Sequence, residues 1–415
     1  MDIPGSESLS RREYLRAAVA VGGAAGLSAC LDTVGETAVP RGDPADRPER
    51  QHGWNAVLST DDDGNHVPPE HRVLLPLRLT TEPDKDDSHR VESAFRTLEQ
   101  AYEYSPDGLL FSVGYSPSYF GRIGGESPIP EPEALTSMES PDFDDFDAIV
   151  HLASDSPEVV LEAEEALLGN ADPNGLEPDA TLSGVFERAE PRRTGFVGDG
   201  LPAQHTDVDG VPDSVPEEAP FFMGFRSGFS GSQAPEDRVT IQDGPFAGGT
   251  TLHVSTMDLN LRQWFEQDNH FQRVAKMFSP EHADDGVGEI GEELGAATGA
   301  SAVADDTEEH ARTRGMVGHA QKAARARDED GTPPLLRRDF NTIDETVGEG
   351  PGVHFVAYQR TIDDFVRVRE AMTGADLTGG GVGQRLNNGI LQYILVHRRG
   401  NFIVPPRSKR ALPGV

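Results

Sequence analysis

Lysine is nearly absent from this chain. Of its 36 basic residues only Lys85, Lys276, Lys322 and Lys409 are lysines, the rest are arginines, and 71 acidic residues bring the net charge to −35. Nucleic acid is excluded as a partner, since binding phosphates needs a basic face. The carboxylates are spread along the whole length. That is the pattern of proteins that stay soluble in concentrated salt, where screening shrinks the Debye length to about 3 Å. Cysteine is reduced to Cys30, so no intrachain disulfide can form. No His/Asp/Glu cluster has the spacing of a metal site built from protein ligands alone. A nucleophile elbow, a P-loop and a dinucleotide fingerprint are also missing.

What is present begins with an export signal, which is left out of the fold. Ser10-Arg11-Arg12-Glu13-Tyr14-Leu15-Arg16 has the twin-arginine form. The apolar stretch Ala17 to Leu27 follows, too short to span a membrane stably. It ends in Leu27-Ser28-Ala29-Cys30, which looks like a lipobox. Residues 1–30 therefore read as a twin-arginine lipoprotein signal, with Cys30 lipidated and the mature chain anchored to the outer face of the cell membrane. The competing reading of Cys30 is a buried free thiol.

Residues 31–70, rich in Pro, Asp, Arg and Gly without periodicity, read as a disordered tether. A strand-like run at 72–79 follows. Then come a helix from Ser88 to Tyr104, strands at 108–115 and 146–153, and a helix opened by Ser156-Pro157-Glu158. This β-α-β…β-α order is that of a ferredoxin-like half with an antiparallel sheet, over residues 71–170. Residues 171–235 read as a loop-rich connection, with 170–220 mostly loop. The plan then repeats over 236–406. It has a strand at 250–257, a helix from Leu259 to Phe278 and an acidic insertion at 280–308. A strand at 353–358, a helix from Ile362 to Met372 and strands at 390–397 and 402–404 complete it.

The chemistry-bearing residues lie in this second half. Gly-His-Ala-Gln-Lys at 318–322 is followed by Leu-Leu-Arg-Arg-Asp-Phe at 335–340. A neutral imidazole can ligate a haem iron from one side. An arginine on the other side can hold peroxide and stabilise the charge that develops as the O–O bond breaks. His319 and Arg337 are candidates for these roles. Read by itself, His319 equally suits a solvent-facing position on a basic helix. Arg338 competes with Arg337, or binds a propionate, or lies at the surface.

Five motifs in order resemble the dye-decolourising (DyP-type) peroxidase family, haem enzymes built from two ferredoxin-like halves. They are Gly108 to Phe120, Gly244-Pro-Phe-Ala-Gly-Gly-Thr250, His319 with Arg337, Val353 to Arg360, and Phe402-Ile-Val-Pro-Pro406. The resemblance covers roughly 71–406. It implies an α+β, barrel-like architecture, haem b as cofactor, His319 as the iron ligand, and hydrogen peroxide with an unknown reducing substrate as reactants. Twin-arginine export, which moves folded proteins, suits a cofactor inserted before transport.

One position departs from the family. Its Gly-Phe-x-Asp-Gly is here Gly224-Phe225-Arg226-Ser227-Gly228, so Ser227 stands where the family carries the aspartate that shuttles the peroxide proton. A hydroxyl can hydrogen-bond peroxide but cannot act as a base near neutral pH. Losing positioned acid–base help lowers rates on the order of 10²–10⁴-fold. Asp199, in a look-alike Gly-Asp-Gly, is a weaker substitute and doubles as a surface turn; Asp243 reads as a turn or cap. Three readings stay open: a peroxidase weakened by this change, a non-catalytic haem-binding protein, and a degenerate fold without haem. If haem binds, an acid or carbonyl is expected on the other nitrogen of His319.

Overall fold

The computed structural model describes residues 39–137, 139–348, 350–377, 381–383 and 387–415; the twin-arginine segment and Cys30 lie outside the described residues. Its strands are His71–Leu79 (β1), Leu110–Tyr115 (β2), Asp142–Phe143 (β3), Ala148–Ser154 (β4), Phe186–Arg188 (β5), Arg193–Phe196 (β6), Thr250–Leu259 (β7), Leu336–Arg337 (β8), Phe340–Thr342 (β9), Gly352–Gln359 (β10) and Ile394–Val404 (β11). From β2 the hydrogen-bonded neighbours run β4, β1, β6, β9, β10, β7 and β11, and β11 returns to β2. Every pairing in this closed ring is antiparallel. The chain is an α+β protein whose sheet closes into a barrel. Each half contributes strands in the order second, third, first, fourth (β2-β4-β1-β6, then β9-β10-β7-β11), the ferredoxin-like arrangement.

Both seams between the halves are narrow. Phe196 of β6 faces Asn341 of β9, and Tyr115 of β2 faces Ile403 of β11. At the first seam the backbones come so close that a Cβ on Gly195 would sit 1.9 Å from the Asn341 carbonyl oxygen. Residues 170–220 are mostly loop, as expected, but the short strands β5 and β6 lie among them, β6 at this seam. Arg193-Thr-Gly-Phe196 shows no alternation of its own and becomes a strand through its partners. The helix expected from Leu259 to Phe278 is also shorter. β7 runs to Leu259, one wide turn spans Gln263–Gln267, and the helix His270–Met277 restarts behind the Asn269 cap. The strands expected at 390–397 and 402–404 form one, β11, bulged between Val396 and Arg398.

Alternation along the strands separates two faces. Leu74, Ile149, Leu252, Val254, Val356 and Phe402, from both halves, pack inside the barrel. In the first half Val73, Leu75, Val150 and Leu152 point outward under the helices Lys85–Ala101 and Pro157–Leu167, forming a filled core. The second half leaves space on the corresponding outer face, and the candidate site occupies it.

Buried charges also lock the first half to the C-terminal tail. Glu99 bonds Arg407 and Arg410, and Glu99 and Arg410 side chains are each only 2% exposed. Burial pushes the Glu99 carboxyl up, but the two guanidiniums outweigh it and hold it below the usual glutamate value. Its contribution is therefore present above that usual value and is lost as pH falls through the depressed one. Glu99→Ala leaves Arg410 buried against Glu92 alone. The expected loss is about 3 kcal/mol, read by urea unfolding at pH 7.

Candidate active site

A cavity of about 290 Å³ lies between the outer face of β7, β10 and β11 and the helices His319–Ala324 and Ile362–Thr373. Its walls are mostly apolar, with Met257, Phe278, Phe355 and Ile390 among them. The polar exceptions sit on elements whose geometry fixes them.

His319 opens the helix His319–Ala324 and lines the cavity. Only glycine fits before it, since a Cβ on Gly318 would lie 1.6 Å from the Phe278 carbonyl oxygen. One turn on, Lys322 donates to Met372 O and to both Asn388 O and Oδ1, tying this helix to the end of Ile362–Thr373. Burial, with Arg369 and Arg325 nearby, pushes Lys322 down to about 7. Burial, then the charges of Lys322, Arg337 and Arg369, pushes His319 down to about 3, so its ring is neutral at physiological pH. Nδ1 is buried and meets no hydrogen-bond partner among the described residues. Nε2 is therefore the nitrogen available to a ligand. The acid or carbonyl expected on the other nitrogen is not found among the described residues. His310 lies on a separate helix, Thr307–Arg314, where its Nδ1 meets Gln321.

Arg337 lies on β8, opposite Ala357. Gln233 staples its backbone from both sides, accepting from Arg337 N at 2.8 Å and donating to Arg337 O at 3.1 Å. Arg337 Nη1 donates to Ser227 Oγ at 3.1 Å and to Asp339 Oδ2 at 3.3 Å. The structure thus brings Ser227 and Arg337 together on the cavity wall, with His319 on the same cavity.

Arg338 needs correction. Neighbouring strand residues point to opposite faces, and Arg338 is turned away from the cavity. It is buried, donates to His52 O at 2.8 Å and stacks on Trp54 at 3.9 Å. It is neither at the surface nor among the cavity's lining residues. His52 and Trp54 are themselves fully buried, so residues 39–70 pack on the barrel and are not the disordered tether expected. Asp199 and Asp243 are also elsewhere: Asp199 is largely exposed and lies 3.7 Å from Arg226, and Asp243 sits in an exposed turn.

Sequence reasoning missed three residues here. Asp339 lines the cavity two residues after Arg337, and its Oδ1 accepts from Val356 N at 3.1 Å. Burial raises its carboxyl above the usual range, although Arg337 and the Val356 N–H oppose this. Arg369 and Arg399 line the cavity too, and both hold Glu139. Arg369 Nη1 and Arg399 Nε and Nη1 are buried with no partner among the described residues. Unmet guanidinium donors beside a cavity, in so acidic a protein, fit a ligand carrying carboxylates. Among the described residues no helix is long and apolar enough to cross a membrane, and no group of His, Cys, Asp and Glu is arranged to hold a metal ion.

Residues 69–406 match the model of a family of unknown function, DUF7405. The chain belongs to that family. No curated protein matches it. Its fold is shared with dye-decolourising peroxidases of known structure. The dye-decolorizing protein from V. cholerae superposes with a TM-score of 0.53 at 16% identity, over 85% of this chain and 97% of that one. The DyP-type peroxidase from Cellulomonas bogoriensis gives 0.55 at 16% identity, over 85% and 96%. A variant of DypB from Rhodococcus jostii RHA1 in complex with heme gives 0.51 at 14% identity, over 86% and 97%. At such identities the likeness is one of fold.

Proposed function

We propose that this chain binds haem b in the cavity of its second half and reduces hydrogen peroxide at the expense of a reducing substrate. The observation that carries this reading is the placement of a neutral His319 and the Arg337–Ser227 pair on one apolar cavity. The residues present fit the cofactor: His319 Nε2 for the iron, the unmet donors of Arg369 and Arg399 for the propionates, and apolar walls for the macrocycle. Bound haem would supply the electron transfer that splits the O–O bond. Arg337 stabilises the negative charge that develops on the peroxide oxygens. Ser227 Oγ accepts from Arg337, which aims the guanidinium and leaves the serine hydrogen for a peroxide oxygen.

Two features favour a slower enzyme, or a haem carrier, as the second reading. Ser227 carries no titratable proton near neutral pH, and among the described residues His319 has no anionic partner that would make its ring a stronger donor to iron. A visible absorption spectrum of protein made with haem supply and purified in high salt separates the readings. A Soret band that shifts on adding peroxide supports the peroxidase. An unchanged band supports a carrier, and no band leaves only the fold.

The same proposal places the protein outside the membrane, exported folded by the twin-arginine route and tethered through a lipid on Cys30. Cys30→Ala is expected to move the chain from the membrane fraction to the soluble one. Equal membrane retention in cell fractionation would refute the anchor.

A further inference from the structure

We infer that Asp339 is the acid–base group of this site, carrying the peroxide proton that Ser227 cannot. The inference rests on the haem–peroxide reading above. Among the described residues Asp339 is the one carboxylate on the cavity wall. Its side chain is 11% exposed, and it shares Arg337 Nη1 with Ser227. One nitrogen therefore touches both the serine that stands in the place of the acid and the carboxylate that replaces it in function. The Asp339 side chain is held at one oxygen by the Val356 N–H and at the other by Arg337. A carboxylate so fixed presents its remaining lone pairs to a molecule in the cavity without reorganising. The charged groups acting on it are Arg337, and Arg72 from β1. Burial outweighs both and brings its proton affinity closer to neutral pH, where a proton shuttle works best.

The proton path balances. One O–H proton of hydrogen peroxide passes to Asp339, leaving a hydroperoxide anion beside the Arg337 guanidinium. That proton returns from Asp339 to the outer oxygen as the O–O bond breaks, and the outer oxygen departs as water with both of the peroxide's protons. The second oxygen becomes water with two electrons and two protons from the reducing substrate. Asp339 ends as it began. A purely structural Asp339 would orient Arg337 and exchange no proton.

The test uses Asp339→Asn, Asp339→Glu and the double variant Asp339→Asn with Ser227→Asp. In the haem-free full chain, an infrared pH titration is expected to show a carboxyl band titrating above the usual aspartate range that Asp339→Asn removes. In the loaded protein, stopped-flow mixing with peroxide is expected to show a rate for Asp339→Asn reduced on the order of 10²–10⁴-fold, with the acid limb of the pH profile gone. Asp339→Glu keeps the limb at a reduced rate. The double variant, with a carboxylate restored on the other side of Arg337 Nη1, is expected to regain the limb and part of the rate. Haem uptake is unchanged in all three. An Asp339→Asn protein that holds haem and reacts at the wild-type rate with the wild-type profile overturns the inference while leaving the peroxidase reading intact. Absence of the infrared band in the wild type also overturns it. A wild type that holds haem without reacting with peroxide overturns the peroxidase reading, and this inference with it.

Discussion

His319→Ala is expected to give a folded protein that retains no haem above background. His319 is the one histidine on the cavity wall among the described residues, so no neighbour can replace it as a ligand. Even an outer partner of a metal ligand, when changed, typically lowers affinity roughly 10–100-fold, and the ligand itself counts for more. The fold is expected to survive. Alanine is a good first residue for the helix, Gly318 keeps its tight approach to Phe278, and Lys322 still ties the helix down. The check is Soret absorbance per protein, beside thermal melts of both haem-free proteins. Free imidazole, entering the space left by the ring, is expected to restore part of the band. Equal haem retention without imidazole would show that the ligand lies elsewhere.

The alternation and turn chemistry of the first half were readable along the chain because its strands are long and its second helix starts at capped Ser156, whereas the first helix begins behind Asp84, earlier than the Ser88 expected. The joining strands were not. β6 and β9 are three or four residues each, and they exist because the two halves meet there. In the site, Asp339 was legible in hindsight. Once Arg337 is placed on a cavity, a period of two places Leu335, Asp339 and Asn341 there as well, and all of them line it. Arg369 carried a signal of the helical kind. Phe365, Val368, Arg369 and Met372 recur at i, i+3, i+4 and i+7, so the arginine belongs to an apolar face, and all four line the cavity. Arg399 carried none. Alternation from Ile394 and Val396 points to Arg398, and only the bulge between Val396 and Arg398 shifts the parity to Arg399.

Replacing Arg337 is expected to separate binding from chemistry. Arg337→Leu keeps His319, Arg369 and Arg399, so haem uptake should match the wild type. On the proposed reading it removes the charge aimed at the peroxide oxygens, and removing one such donor typically slows the chemical step on the order of 10²–10³-fold. A second effect follows from the shared contact. The guanidinium opposes the upward push of burial on Asp339, so without it the Asp339 carboxyl rises further. The acid limb of the residual peroxide reaction should therefore move to higher pH, the opposite of its disappearance in Asp339→Asn. Arg337→Lys tests the fork itself. An ammonium keeps the charge, and with it much of the hold on Asp339, but lacks a rigid planar fork able to touch Ser227, Asp339 and peroxide together. Its limb should stay near the wild-type position while its rate falls. Stopped-flow profiles of the two variants give both numbers. Should Arg337→Leu react with peroxide as fast as the wild type, Arg337 is a structural staple of β8 and the developing charge is stabilised by another group.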